Sequence, residues 1–237
     1  MRRSFFFAEN EVDKMKKVKN NILTIEEAEK VSGVHYTLRH TGKMAGMMSL
    51  STSCTMNKNC LYRSKNPKTV CSHCYAQRQL KIYKTLEKCL IKNTEILTGR
   101  VLEDRELPII NALYFRLESF GDLNNTTQVI NYFNLCKKNK NVRFALWTKN
   151  LWLIESVLNA GVKKPSNLQI IYSLPILNDK NETIFAWYPF VDKVFTVFTK
   201  DYIKENNIEI NCGAESCLKC AKCYKKNNVK YINEQLK

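Results

Sequence analysis

Two groups of cysteines carry the chemistry of this chain. The first, CTMNKNCLYRSKNPKTVCSHCYA (residues 54–76), holds Cys54, Cys60, Cys71 and Cys74 in a basic, polar stretch that could hardly form a core. The second, CGAESCLKCAKCY, holds Cys212, Cys217, Cys220 and Cys223. Cysteine usually hides in apolar surroundings, so polar loops that concentrate it point to ligation. Eight of the ten cysteines lie in these groups. Cys89 and Cys136, in helix-like segments, read as small buried hydrophobes. The opening MRRSFFFAEN has too short an apolar stretch for a signal peptide, and no later run approaches a membrane span. A cytoplasmic location without a membrane partner is therefore expected, where such thiols favour metal or redox chemistry over disulfides.

Spacing narrows the chemistry. The second group has spacers of four, two and two residues. Successive Cys-x2-Cys steps resemble the bacterial ferredoxin run that wraps an iron–sulfur cluster, whereas structural zinc more often uses two such pairs set well apart; both readings stand. In the first group Cys71 and Cys74 form a Cys-x-x-Cys pair. Together with Cys54 or Cys60, the pair could supply the three thiolates of a cluster that leaves one iron open, and the sequence does not choose between those two. His73 reads as a packing residue, because adjacent side chains rarely aim at one ion. His35 and His40 read as ordinary surface or core residues.

These loops need elements to position them. Residues 1–45 read as a basic, mostly helical lead-in, with Thr24 and Glu27 forming a capping-box signature. Residues 46–205 alternate strands and helices. GMMSLST, INALYFRLESFGD, VRFALWTK, LQIIYSLP and VDKVFTVFTK have strand character, and a long amphipathic helix is expected over QRQLKIYKTLEKCLIKNTEILTG. Near-continuous apolar strands separated by helices predict an α/β fold with a mainly parallel sheet. At 237 residues, a complete eight-stranded barrel of ~250 residues does not fit easily, so a partial (βα) TIM-like barrel of about five to six strands is expected, with residues 206–237 as a cysteine-rich, metal-binding tail. No glycine-rich phosphate loop follows any strand. In such folds functional groups collect where strands end. Here those are Glu118, Ser119, Gly121 and Asp122, then Thr148 and Lys149, then Ser173, then Thr199 and Lys200. Asp122 has a second reading as the cap of the helix that follows it.

A strand running into a cysteine loop that ends CSHCYA, then a long helix and repeated β/α units, resembles the radical S-adenosylmethionine (radical SAM) superfamily. More narrowly, SLSTSC, VCSHCYA, RLESFGDL, FALWTKN and INCGAESCLKCAKCY resemble the phage gene product 88 family, a radical-SAM-like group, from about Lys43 to the C-terminus. The resemblance implies two 4Fe-4S clusters, held by the two cysteine groups, and S-adenosylmethionine (SAM) as cofactor. It further implies cofactor contacts from Glu118, Ser119 and Asp122, joined by Tyr75, Lys149 and Ser173, and an external electron donor. One departure stands out: the superfamily's loop is far tighter than the ten residues that separate Cys60 from Cys71.

The formal charge of +16, from 38 Lys and Arg against 22 Asp and Glu, admits a nucleic-acid partner. Bound thiolates would lower that charge, however, and the lysines are spread along the chain, as on any well-solvated basic surface. Two classes of function follow. One is an iron–sulfur enzyme that cleaves SAM reductively and acts on a nucleic acid, a nucleotide or a polypeptide. The other is a basic binding protein for nucleic acid or a host protein, stabilised by zinc or a cluster, in which Cys71 and Cys74 pair with Cys220 and Cys223 in one zinc site. A barrel that keeps a cluster without cleaving SAM lies between them.

Overall fold

A computed structural model describes residues 23–237; the first 22 residues of the expected lead-in lie outside the described residues. Six parallel strands form one open sheet in sequential order: β1 (Met48–Leu50), β2 (Tyr114–Leu117), β3 (Arg143–Thr148), β4 (Leu168–Ser173), β5 (Lys193–Phe198) and β6 (Tyr231–Gln235). Register aligns Leu50 with Leu117, Leu117 with Leu146 and Leu146 with Ile170, so apolar side chains stack across the sheet.

The side-chain period of a strand is two residues, and it divides the core here. Phe115, Leu117, Phe144, Leu146, Ile170 and Val194 face the helices. There α4 (Lys84–Gly99), α5 (Thr126–Lys138) and α6 (Leu151–Asn159) bury Leu97, Val129, Tyr132, Phe133, Leu153, Ile154 and Val157. Each such side chain contributes roughly 1.5–3 kcal/mol by leaving water. The alternate residues Tyr114, Ala145, Trp147, Ile171 and Phe195 face the other side, where the C-terminal segment lays Ala221 and Tyr224 on them.

Three expectations change. The long helix breaks at Tyr83 (φ −99, ψ 81) into α3 (Tyr75–Ile82) and α4. The tail contributes β6, which the sequence hides because only Ile232 of that strand is fully buried; polar edge strands are the rule. Within the lead-in, helix occupies α1 (Ile25–Ser32), whose capping box forms as expected: Thr24 N donates to Glu27 Oε2 at 2.8 Å and Glu27 N to Thr24 Oγ1 at 3.3 Å.

Candidate metal and cofactor site

Past β2 the chain turns at Glu118, a non-glycine residue with φ +59 in the left-handed region. Its buried carboxylate holds that turn to the turn after β1 and to α5. It accepts from Thr52 Oγ1 at 2.9 Å and Thr52 N at 3.2 Å, and from Gln128 Nε2 and Tyr132 OH, both at 2.5 Å. Burial pushes the carboxyl up to about 7 against the pull of these donors. At Gly121, a Cβ would lie 2.5 Å from Thr52 Oγ1 and 2.7 Å from Glu118 Oε2, so only glycine lets the two turns close.

Asp122 does not cap the following helix. Asn125 does, its side chain accepting from Gln128 N at 3.0 Å. Asp122 instead ties the β2 end to the β3 end: Oδ1 accepts from Thr148 Oγ1 at 2.5 Å and Leu123 N at 2.8 Å, and Oδ2 from Lys149 N at 3.1 Å. Arg63 Nη1 stands 3.7 Å from Oδ2. The Lys149 ammonium donates to Ser173 Oγ at 3.0 Å, and the Tyr75 hydroxyl to the Ser119 carbonyl. Ser119 Oγ lies 2.7 Å from Ser51 Oγ and 3.1 Å from Ser49 Oγ, which in turn lies 2.8 Å from His40 Nε2. All six candidate cofactor residues line one cavity of about 640 Å³.

Two cysteines of the first group, Cys71 and Cys74, line this cavity. Between Cys60 and Cys71 the chain forms most of α2 (Lys58–Ser64) and a return turn. Asn57 caps α2 through Cys60 N (3.1 Å) and ties it down, donating to the carbonyls of Asp122 (3.0 Å) and Leu123 (3.1 Å). The return turn bonds to the β4–β5 connection, Val70 N to Pro175 O at 2.9 Å and Leu177 N to Lys68 O at 3.0 Å. The long spacer is thus a bridge across the end of the sheet. Cys54 is buried against Ala76, Leu80 and Leu90, with Cys60 and Cys74 packed beside it. The Cys54 thiol donates to Cys74; with the Gln77 and Ala76 N–H groups at the start of α3 and nearby Lys149, this lowers Cys74 to about 6 despite its burial. Burial raises Cys60 and Cys71. Both Cys54 and Cys60 adjoin Cys74, so neither is set aside. His73, expected to pack, is exposed at the cavity's edge, because Cys71 is the residue its turn buries.

All four cysteines of the second group line the same cavity. The N–H groups of Asn211 and Cys212 donate to Asn233 O of β6, at 3.2 and 3.0 Å. Ser216 caps α7 (Cys217–Cys220) through Lys219 N at 3.4 Å, and Ala221 (φ +49) ends it. Lys43 Nζ donates to Cys212 O at 2.9 Å and lies 3.2 Å from both Cys212 Sγ and Glu234 Oε1. Burial pushes the Cys223 thiol up to about 12, with Arg116 pulling the other way. Each group gathers by itself: Cys71 has Lys149, Arg63, Cys74 and Asp122 as charged neighbours, and Cys223 has Arg116 and Cys212, Cys217 and Cys220. That arrangement opposes a single zinc shared by Cys71, Cys74, Cys220 and Cys223.

A family model described as gene product 88 matches residues 10–235. The chain belongs to the gene product 88 family. No curated protein and no solved structure matches it. For a member of this family, then, the fit of metal must be judged on the donors themselves. Each group offers four thiols, a set that suits iron–sulfur clusters and structural zinc alike. Arg63 and Lys149 on one side, and Lys43 and Arg116 on the other, stand where bound thiolates would leave negative charge. The thiols converge without closing: among the described residues, no three His, Cys, Asp or Glu stand in a metal-holding group. Also among the described residues, no helix is long and apolar enough to cross a membrane. Sequence reasoning missed Lys43 and Arg116; the signal for the latter was an arginine inside the apolar run YFRL.

Proposed function

We propose that this chain is a radical-SAM-like iron–sulfur protein on an open, partial TIM-like barrel. In this reading it cleaves SAM reductively and modifies a substrate held in the cavity. One observation carries the reading: Cys71 and Cys74 of the first group, with Cys54 and Cys60 packed beside Cys74, and all four cysteines of the second line one cavity with the strand-end residues of a parallel sheet, the place where such folds assemble cofactor sites. Cys71, Cys74 and either Cys54 or Cys60 would hold a first cluster, and Cys212, Cys217, Cys220 and Cys223 a second. Bound there and reduced by an external donor, cluster and SAM would supply one-electron chemistry that the protein's own groups lack.

The chain's own residues orient and shield. The N–H groups of Ala76 and Gln77 and the Lys149 ammonium favour the thiolate form of Cys74. Glu118 and Asp122 fix three strand ends relative to one another. Trp147 and Tyr224 pack edge to face at 5.9 Å and give the cavity an apolar part of its lining.

Anaerobic purification and reconstitution, with iron, sulfide and zinc quantified, tests the proposal. It expects about eight irons, falling by half in Cys71→Ser/Cys74→Ser and again by half in Cys220→Ser/Cys223→Ser, with SAM perturbing the paramagnetic spectrum of the reduced protein. Zinc without iron would overturn it in favour of a metal-stabilised binding protein. Four irons insensitive to loss of Cys71 and Cys74 would point to a barrel that keeps only its C-terminal cluster.

A further inference from the structure

Arg116 adjoins the Cys217 and Cys223 thiols. It lies on the inner face of β2, its guanidinium 4.0 Å from the Trp147 ring centre, and it lines the cavity between the two cysteine groups. Its Nε is buried without a hydrogen-bond partner, and its Nη1 meets the Met44 thioether at 3.4 Å. Among the described residues no carboxylate pairs with it, although a buried guanidinium ordinarily has one. The cavity as a whole shares the imbalance. Lys43, Arg78, Arg116, Lys149, Lys222 and Lys237 line it, against three carboxylates. Two of those carboxylates, Glu118 and Asp122, are committed to hydrogen bonds that hold the turns, and the third, Glu234, pairs with Lys43.

The covering of the cavity is more one-sided still. From Lys30 through Leu86 the chain has ten Lys and Arg and no Asp or Glu. The even spread of lysine over the whole sequence conceals this run. It includes both helices that flank the cysteine turn. The outer face of α2 carries Lys58, Leu61, Tyr62 and Lys65, spaced for one helical face and all exposed. On α3 and its end, Tyr75, Arg78, Lys81 and Tyr83 are exposed, and Tyr75 and Arg78 reach the cavity's mouth. Tyr62 is 80 % exposed and Tyr83 55 %, which leaves both ring faces open to stacking. Cations interleaved with bare aromatic rings form the surface on which single strands bind, phosphates on the charges and bases on the rings.

We propose that the substrate is a single-stranded nucleic acid, gripped on the acid-free segment over α2 and α3, with one nucleotide entering the cavity and its phosphate anchored by Arg116. A planar, fork-shaped donor stacked on an aromatic ring suits phosphate, and the cavity's volume of about 640 Å³ accommodates a nucleotide. This deepens the enzyme reading by naming its substrate class. The binding itself needs neither SAM nor turnover.

The test is fluorescence anisotropy with labelled 12-nucleotide single strands of DNA and RNA, on the anaerobically reconstituted protein, across a salt series. Tight binding is expected, with log affinity falling steeply with log salt. Lys58→Glu/Lys65→Glu, both exposed, should weaken it at least tenfold and flatten the slope by about two phosphate contacts; Tyr62→Ala should weaken it several-fold without changing the slope. Adenosine monophosphate should compete where adenosine does not, and Arg116→Gln should abolish that competition while strand binding to the outer surface persists. Competition by the mononucleotide as strong as by the strand would assign the site to free nucleotides and overturn the strand. Equal affinity of wild type and Lys58→Glu/Lys65→Glu would overturn the surface. Arg116→Gln that alters metal content but leaves nucleotide competition intact would make Arg116 a counter-charge to Cys217 and Cys223, and overturn the anchor. Zinc in place of iron, with strand binding intact, would sink the radical reading and leave this one standing.

Discussion

The two cysteine groups both contribute to one cavity, the first through Cys71 and Cys74 and the second through all four of its cysteines, but are held in opposite ways. The first is built into the fold. Cys54 is buried under α3 and α4, and its loop is pinned by Asn57 to the β2–α5 turn and by Lys68 and Val70 to the β4–β5 connection. The second lies on the inner face. Two backbone bonds to Asn233 and the contacts of Ala221 and Tyr224 hold it, and its four cysteines are only partly buried. Rigid walls give an open-coordination site a fixed geometry, whereas a segment with few buried contacts is ordered mainly by what it binds. On the proposed reading, the contrast would place the position-critical chemistry in the first group and make the order of the second depend on metal loading.

The largest effect should come from the carboxylate that organises the first group. Asp122→Ala removes the acceptor of the Thr148 hydroxyl and of two backbone N–H groups, and leaves Arg63, whose Nη1 is buried without a hydrogen bond, with no countercharge. A loss of about 3–5 kcal/mol is expected, read as a large drop in thermal midpoint. A drop below 1 kcal/mol would show that the first loop is no better anchored than the tail. Glu118 makes the same point through pH. Its carboxyl, raised by burial from 4.5 to about 7, keeps a proton in the folded state that the unfolded chain has given up. Its contribution is therefore fully present below pH 4.5 and is lost as pH rises through 7. Stability should fall by about 3 kcal/mol over that window, and Glu118→Gln should flatten the slope. An unchanged slope in urea titrations at pH 5 and 7.5 would refute the assignment.

The difference between the groups also explains what could be foreseen. The two cysteine groups were legible as groups because eight of ten cysteines fall in two polar stretches, and the turn residues Glu118, Ser119, Asp122, Lys149 and Ser173 were legible as one cavity's lining because strand ends in parallel sheets converge. The alternation of apolar strands with helices foretold the parallel sheet. What stayed hidden was whatever depends on distant pairing. β6 is a polar edge strand with one fully buried residue. The bridge formed by α2 looked like an irregular spacer, because its anchors, Asp122, Leu123 and Pro175, lie far along the chain. The helix break at Tyr83 falls within an unbroken apolar period, so periodicity could not mark it. Arg116 was visible as an arginine in an apolar strand, but its lack of a carboxylate is a property of the fold alone.

Two smaller perturbations sharpen the contrast. Gly121→Ala forces a Cβ to within 2.6 Å of the Thr52 carbonyl oxygen, a clash with backbone that must push the first loop away from the β2 turn. About 1–3 kcal/mol should be lost, seen as a lower urea midpoint with unchanged m, together with a defective first metal site and an intact second. Metal loss from the second group alone would reverse the assignment of rigidity.

The counterpart on the tail is Lys43→Ala. It deletes the 3.2 Å pair with Glu234 and the bond to the Cys212 carbonyl, but both charged side chains keep about a quarter of their surface in water, 27 % for Lys43 and 22 % for Glu234. Solvent screening holds such pairs to about 0–1 kcal/mol, so the thermal midpoint should barely move. The effect belongs in exchange instead: amides of residues 211–224 should lose protection in the metal-free protein while those of 54–74 keep theirs, because only the tail relies on this contact. Equal loss of protection in both segments would mean that the two groups open as one unit, and that the first loop's anchors do not isolate it.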